Sequence, residues 1–379
     1  MQLRLLFTYG FALFAMFFGS GNLVFPILVG QQSGSNWLFG LLGLIVTGVF
    51  LPFIGLFVIK LYNGKYEKFF ASAGKVGKYL IPFFTLSLLG SFGVVPRCIT
   101  VAHGGINFID EGISLVNFSA IFILVSYFLC LKDKLLVNIL GKLMSPILLG
   151  TLVILIACGV YYGNSSPEIT TNLGAAQAGF VTGYQTMDLF AAFFFSSFIF
   201  QRIQESLHTK SSNEQIRFAV KSSLIASILL ALIYTGFVYL GAHYSEQIAG
   251  TKPEHLLPKI SLHLLGSSAS FFLALSIILS CITTAVALNN IYARYIISLF
   301  KLKEKYFPVV LLATSLISFF VSLFDFKKIA AYLAPLLEIS YPGLIVLTIL
   351  CIISKKCEKL KFYSFWLITI YMIIDNLYS

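Results

Sequence analysis

The sequence predicts an all-α integral membrane protein, and three observations support that fold class. Of the 379 residues, 58% are hydrophobic and only 11% are charged, whereas soluble domains average about 25% charged residues. Apolar runs of about 20 residues recur along the chain, and that length crosses a bilayer as a helix. The alternating short strands of a transmembrane β-barrel are absent from the sequence. The net charge of +11 does not indicate nucleic-acid binding, because the basic residues lie between the apolar runs.

The apolar runs predict eleven transmembrane helices in a single transporter domain, residues 1–379. The predicted spans are residues 6–30, 36–59, 79–102, 117–131, 135–162, 178–201, 218–242, 264–293, 306–324, 329–354 and 362–377.

The distribution of lysine and arginine predicts a cytoplasmic N-terminus. Loops on the cytoplasmic side of a membrane carry an excess of these residues. With the N-terminus inside, most of them fall on the cytoplasmic side, and the exceptions are Arg97, Lys252, Lys259, Lys327 and Lys328.

The first span is interrupted by Gly19-Ser20-Gly21-Asn22. Each glycine in a helix costs roughly 1 kcal/mol relative to alanine. Within a membrane, an opened helix is tolerated only where its backbone groups find partners in the protein or line a wet cavity. The segment therefore indicates a substrate or ion site. The alternative is a kink or a close contact between helices, as small residues also allow.

The sixth span carries a second interruption, with Asp188 near the middle of the membrane. A carboxylate at that depth costs at least ~2.5–3.5 kcal/mol on insertion scales. We expect Gly183 to Thr186 to open the helix, so that Asp188 faces a cation or the ammonium group of a substrate. The alternative is that Thr186 or Asp188 caps the restarted helix and binds no ligand.

The two interruptions occupy corresponding positions in two halves of opposite orientation. Residues 1–162 form the first half and residues 178–354 the second, with residues 355–379 as an additional C-terminal helix. This arrangement predicts a five-plus-five inverted repeat with broken helices 1 and 6 and a binding site between them.

Hydroxyl groups in the eighth span suggest a cation site. Ser280, Thr283 and Thr284 carry hard oxygen donors that suit a small alkali cation. The alternative is that each hydroxyl bonds a carbonyl of its own helix, as is common in membrane helices.

These motifs resemble the bacterial branched-chain amino-acid carriers, the leucine/isoleucine/valine–cation symporter family of the amino acid–polyamine–cation superfamily. The resemblance rests on FALFAMFFGSGNLVFPILVGQQSG at 11–34, GYQTMDLFAAFFF at 183–195, LSCITTAVAL at 279–288, Pro96-Arg97 and Tyr341-Pro342. It implies a LeuT-like fold in the bacterial cytoplasmic membrane. It also implies import of Leu, Ile and Val, with Met as a further candidate, driven by Na⁺ or in some members by protons. Members usually have twelve spans, whereas eleven are predicted here. Glu338 and Asn289-Asn290 also depart from the family pattern.

The resemblance implies a Na⁺ shell made by the carbonyls of Ala15 and Phe18 with Ser280, Thr283 and Thr284. For the substrate, we expect the carboxylate at the N–H groups of the opened first helix. The ammonium would meet freed carbonyls and Asp188, and the apolar side chain would meet aromatic rings. The expected substrate-binding residues are Phe17, Gly19, Ser20, Gly21, Asn22, Phe92, Gly183, Tyr184, Gln185, Asp188 and Phe190.

Arg97 and Glu338 are further charges within predicted spans. We hypothesise that they approach each other as an external gate. The alternative is that Arg97 extends to the membrane surface while Glu338 is protonated or lines water.

Other function classes fit the sequence less well. It shows neither a filter loop of a channel nor a motif of a membrane enzyme. The principal alternative is a proton-coupled carrier of another neutral solute, with Asp188 as the proton site. We expect no prosthetic cofactor, no nucleic-acid partner and no obligate protein partner; the amino-acid substrate and membrane lipid are the expected partners.

Overall fold

The computed structural model describes residues 2–131, 145–163, 167, 169–354 and 357–378, and the regular elements in these ranges are all helical. The α-helices in chain order are α1 (Gln2–Phe17), α2 (Ser20–Ser33), α3 (Trp37–Ile45), α4 (Leu51–Leu61), α5 (Tyr66–Phe70), α6 (Gly74–Leu89), α7 (Val94–Asn107), α8 (Leu115–Cys130), α9 (Ser145–Tyr161), α10 (Asn172–Gln185), α11 (Asp188–Ser206), α12 (Ser212–His243), α13 (Leu256–Leu299), α14 (Phe307–Ser322), α15 (Phe326–Ile353) and α16 (Glu358–Tyr378).

The prediction of an all-helical protein with several apolar helices is confirmed. By length and composition, six described stretches could cross a membrane: Ser20–Leu61, Tyr66–Asn107, Ser212–His243, Ser270–Leu299, Glu304–Ser322 and Phe326–Ile353. Part of the predicted fifth span, residues 135–144, lies outside the described residues. The count of eleven spans and the inverted repeat stay predictions.

Polar side chains begin several of the long helices. The Ser211 hydroxyl accepts the N–H of Glu214 at the start of α12, and the Asp325 carboxylate accepts the N–H of Lys328 at 2.7 Å at the start of α15. Such caps satisfy amides that have no partner inside the helix. They explain why these apolar helices begin where they do.

The first predicted span is broken as expected. α1 ends at Phe17 and α2 begins at Ser20, with Gly19 extended between them. A Cβ at Gly19 would lie 2.9 Å from Thr284 Oγ1 of α13. Glycine is therefore required here by the close approach of another helix.

The second break lies further along the chain than the sequence predicts. Gly183 is still helical within α10, and the turn falls at Met187, whose φ is 61°. A Cβ at Gly183 would lie 1.8 Å from Thr47 Oγ1. The expectation that Gly183 opens the helix is therefore wrong, and its small size instead lets α10 pack against the helix that contains Thr47.

Two further irregularities were missed by the sequence analysis. The predicted third span is divided at Gly90–Gly93 into α6 and α7, and a π-helical turn, Val46–Phe50, joins α3 to α4. A Cβ at Gly93 would lie 2.3 Å from the Leu88 carbonyl oxygen.

Two kinds of packing hold the helices around the breaks. α5 meets α11 through buried phenylalanine rings, among them Phe70 and Phe193, whose centroids are 5.4 Å apart. α2 and α12 touch through backbone, because a Cβ at Gly30 would lie 2.0 Å from the Val238 carbonyl oxygen and a Cβ at Gly241 2.0 Å from that of Ile27. Close backbone approach of this kind is typical of packing between membrane helices.

Candidate functional site

The break between α1 and α2 faces the hydroxyl groups of α13. Thr283 Oγ1 lies 3.1 Å and Thr284 Oγ1 3.3 Å from the Ala15 carbonyl oxygen. The Ser280 hydroxyl donates to the Phe18 carbonyl. The structure thus brings together all five residues that the resemblance implies for Na⁺.

These five residues form a compact set of neutral oxygens that we call the hydroxyl–carbonyl cluster. Each of the three hydroxyl-bearing residues is at most 2% exposed. Thr283 Oγ1 also lies 2.7 Å from the Ser280 carbonyl oxygen of its own helix. For this residue the alternative, a hydrogen bond within the helix, therefore occurs as well. The cluster carries no formal charge, which suits a monovalent cation coordinated by carbonyls of an unwound segment.

Asp188 begins α11 and joins three helices. Its Oδ2 accepts a hydrogen bond from Asn22 Nδ2 at 2.7 Å and another from the Tyr234 hydroxyl at 2.9 Å. Its backbone N–H lies 3.4 Å from Thr186 Oγ1. The side chain is only 2% exposed. The carboxylate therefore links α2, α11 and α12. The sequence analysis missed Tyr234.

Most of the backbone carbonyls expected to bind the ammonium group already accept hydrogen bonds from the protein. The Gly183 carbonyl accepts from the Thr186 hydroxyl at 2.8 Å, and the Tyr184 carbonyl accepts from the Met187 N–H at 3.0 Å. The Phe17 carbonyl accepts from the Gly19 N–H at 2.8 Å. In this conformation each of these three carbonyls already has a hydrogen-bond donor within the protein.

The backbone N–H groups at the first break differ in whether they have a carbonyl partner close by in the chain. The Gly19 N–H, expected to face the substrate carboxylate, donates to Phe17 and lies 3.3 Å from Asn22 Oδ1. Ser20 and Gly21 occupy the first positions of α2, where an amide has no carbonyl partner within its own helix. The two amides of Ser20 and Gly21 therefore retain the character of an anion-binding helix N-terminus.

Aromatic rings form a wall beside the second break. The Tyr341 ring lies 4.5 Å from that of Tyr184 and 4.7 Å from that of Phe190, measured between centroids. Phe190 is fully buried, whereas Phe92, expected to share its pocket, is 41% exposed and lies in the interruption between α6 and α7. The structure therefore does not pair Phe92 with Phe190.

Arg97, on α7, is fully buried and turned toward the second break. Its Nη1 donates to the Gln185 carbonyl at 2.9 Å, at the C-terminal end of α10, where a cation is favoured by the helix dipole. Its carbon Cζ lies 5.5 Å from the Phe25 ring centroid and 5.9 Å from that of Phe326. The alternative that Arg97 extends to the membrane surface is wrong.

The expected pair of Arg97 and Glu338 is not formed. Among the described residues, Nε and Nη2 of Arg97 have no hydrogen-bond partner, and Glu338 is partly exposed on α15. The carbonyl at the end of α10 and the two rings hold the guanidinium inward, away from Glu338.

Comparison with known proteins assigns the chain to a family. A family model described as branched-chain amino acid transport protein matches residues 3–378. The chain belongs to this family. The branched-chain amino acid permease BrnQ of Corynebacterium glutamicum is 30% identical over 358 residues, covering 92% of this chain and 81% of the relative. The permease BraB of Bacillus subtilis is also 30% identical, covering 91% and 79%. Because the relatives are permeases and carriers, this family member is a transport protein and not an enzyme.

Solved transporter structures share the fold of this family member. A manganese transporter of Eremococcus coleocola superposes with a TM-score of 0.64 at 15% identity, covering 99% of this chain and 86% of that one. The nucleobase-cation-symport-1 transporter Mhp1 gives 0.60 at 14% identity, covering 98% and 91%. A Na⁺-coupled sialic acid symporter gives 0.62 at 12% identity, covering 92% and 79%. The chain therefore has the LeuT-like transporter fold.

Proposed function

We propose that this protein imports branched-chain amino acids, Leu, Ile and Val, by symport with Na⁺ across a bacterial cytoplasmic membrane. Family membership supports the substrate class. The observation that carries the symport mechanism is the hydroxyl–carbonyl cluster, in which three side chains of α13 meet two carbonyls at the end of α1. The N-terminus faces the cytoplasm in this proposal, as the charge distribution predicts.

The cluster provides a physical means of coupling. A cation held by Ala15, Phe18 and the α13 hydroxyls attaches the broken first helix to α13. An ion can drive transport only if it and the substrate prefer the same conformers. Because Phe18 and Gly19 form the break, cation binding at the Phe18 carbonyl fixes the backbone against which the substrate binds.

The substrate pocket is proposed to lie between the two breaks, beside the Tyr184, Phe190 and Tyr341 rings. Ser20, Gly21, Asn22 and Asp188 provide polar groups at the breaks, and the rings provide an apolar surface for a branched side chain. A single methylene changes binding in such a pocket by only ~1–3 kcal/mol. The carrier is therefore expected to accept Leu, Ile and Val together, with Met as a further substrate.

A second candidate is a proton-coupled carrier in which Asp188 takes up the driving proton. The observation that favours it is the burial of this carboxyl group, which forms no ion pair in the described part of the chain. A proton taken up by Asp188 would remove the cost of a buried charge without an ion-pair partner.

The test is uptake of labelled leucine into proteoliposomes under an imposed Na⁺ gradient at fixed pH, and separately under a pH gradient without Na⁺. Symport predicts Na⁺-driven accumulation that the Thr283→Ala/Thr284→Ala variant loses. The matched control is Thr235→Ala, which removes a hydroxyl that bonds only its own helix at Ala231. Accumulation driven by the pH gradient alone, and abolished in Asp188→Asn, would instead establish the proton-coupled carrier. Absence of leucine uptake under either gradient would reject the substrate assignment.

A further inference from the structure

The guanidinium of Arg97 has one edge bonded and one edge free. Nη1 is held by the Gln185 carbonyl at 2.9 Å. Nε and Nη2 are buried and have no hydrogen-bond partner in the described part of the chain. These two nitrogens form one side of the planar fork, and two parallel N–H groups on one edge match the two oxygens of a carboxylate.

This edge forms no ion pair in the described part of the chain, because none of the ion pairs there includes Arg97. Asp188 Oδ2 is occupied by Asn22 and Tyr234. The faces of the Phe25 and Phe326 rings offset only part of the desolvation of a buried cation. A ligand carboxylate is the group that complements the free edge.

Near Arg97, two more buried polar atoms have no hydrogen-bond partner among the residues that the structure describes. They are Gln185 Oε1, on the residue whose carbonyl holds Arg97, and the Tyr341 hydroxyl. Buried polar groups without partners are uncommon and call for an explanation, such as a ligand. An α-amino acid offers both a carboxylate for the Arg97 fork and N–H donors for the oxygens of Gln185 and Tyr341.

A cavity is lined by the two aromatic rings that cover Arg97. It has a volume of about 520 Å³ and is lined by residues that include Phe25, Glu254, Asp325, Phe326 and Lys327. Phe25 and Phe326 are the two rings that lie over the guanidinium, with centroids 5.7 Å apart. A ligand in this cavity is therefore separated from Arg97 by that pair of rings.

We infer that Arg97 binds the α-carboxylate of the transported amino acid through Nε and Nη2, beneath the Phe25–Phe326 pair. This inference rests on the proposed function, because it specifies how the same site recognises its substrate. Arg97 then has a substrate-binding role in place of the gate role, and the main positive charge that binds the carboxylate lies on α7. The amides of Ser20 and Gly21 are then secondary contacts.

The test compares leucine with leucinol, which keeps the ammonium group and side chain but replaces the carboxylate with a hydroxymethyl group. Equilibrium binding of both is measured on purified protein in lipid nanodiscs. Wild type is expected to prefer leucine by at least about 10- to 100-fold, the range for a hydrogen bond to a charged group. In Arg97→Gln this preference is expected to fall to within about threefold, because leucine affinity decreases while leucinol affinity changes little. The control Arg202→Gln, which removes an arginine paired with Glu205 at 3.0 Å, should keep the wild-type preference.

The outcomes separate this inference from the proposed function. A wild-type preference that persists in Arg97→Gln overturns the role of Arg97 and leaves leucine as the substrate. Failure of wild type to bind leucine rejects the proposed function together with this inference. If Arg97→Gln does not elute as a folded species, the same ratio is measured in Arg97→Lys. That variant keeps the charge but lacks the fork, so a reduced preference supports the inference and an unchanged one overturns it.

Discussion

At the residue scale, the second break is organised by a carboxylate that the protein already satisfies in part. Asp188 Oδ2 accepts hydrogen bonds from α2 and α12 through Asn22 and Tyr234. A buried carboxylate needs such donors to offset its desolvation. Asp188 therefore connects the two broken helices even in the absence of substrate.

Replacement of Tyr234 by Phe tests this structural role. The change removes the hydroxyl that donates to Asp188 and leaves the ring. A hydrogen bond to a charged group contributes about 1.5–3 kcal/mol, so we expect a lower melting temperature in detergent. Tyr239→Phe, on the same helix and only partly buried, is the control. Equal melting temperatures for the two variants would show that the hydrogen bond from Tyr234 to Asp188 does not stabilise the fold.

At the element scale, the three breaks differ in how far the sequence reveals them. The Gly19–Asn22 segment was predicted because two glycines around a serine are unfavourable in an apolar helix. Gly183 misled the prediction, since its close contact with Thr47 is a packing demand that only the folded structure displays. The sequence around Gly90 and Gly93 likewise has two glycines and a serine within an apolar run. A break was not predicted there because the run was interpreted as one continuous apolar span.

The contact between α2 and α12 gives a prediction at this scale. In Gly241→Ala the new methyl group would lie 2.0 Å from the Ile27 carbonyl oxygen, which can be relieved only by moving backbone. Overpacking of this kind costs typically about 1–3 kcal/mol, so a lower melting temperature and reduced leucine uptake are expected.

Gly150→Ala is the matched control for this substitution. Gly150 lies in α9, and no atom lies within 4 Å of the position its Cβ would take. Alanine favours a helix interior over glycine by roughly 0.5–1 kcal/mol. A melting temperature of Gly241→Ala equal to or above that of Gly150→Ala would show that α2 and α12 are not in backbone contact.

At the scale of the whole molecule, composition and hydrophobic runs were sufficient for the class and the approximate places of the helices. The residues of the hydroxyl–carbonyl cluster were anticipated as one set only through family resemblance, because Ala15 and Thr283 are distant in sequence and neutral in character. The direction of the Arg97 side chain could not be predicted. It depends on the end of α10 and on rings from α2 and α15, which meet only in the tertiary structure.

The cavity lined by Phe25, Glu254 and Phe326 provides a pH prediction. Burial is the main effect at Glu254 and raises the pKa of its carboxyl group above 4.5; Asp325 also raises it, whereas Lys252 and His103 lower it. Because the folded state favours the protonated form, this stabilisation is complete below the unfolded pKa, near 4.5, and is lost as the pH rises through the folded pKa. Relative to wild type, Glu254→Gln should therefore gain in melting temperature between pH 5 and pH 8. A difference that stays constant across that range would contradict the prediction.

The two buried ionisable side chains at the second break, Arg97 and Asp188, have an electrical consequence. Both belong to the protein, which returns to its starting conformation in each cycle, so they add nothing to the net charge moved, and a zwitterionic amino acid adds none either. Under the proposed symport, the charge carried inward per cycle is then that of the Na⁺ alone. Each elementary charge gains about 2.3 kcal/mol per 100 mV of membrane potential, which corresponds to roughly 50-fold accumulation. A cell could thus concentrate leucine from its membrane voltage even where the Na⁺ concentrations inside and outside are equal.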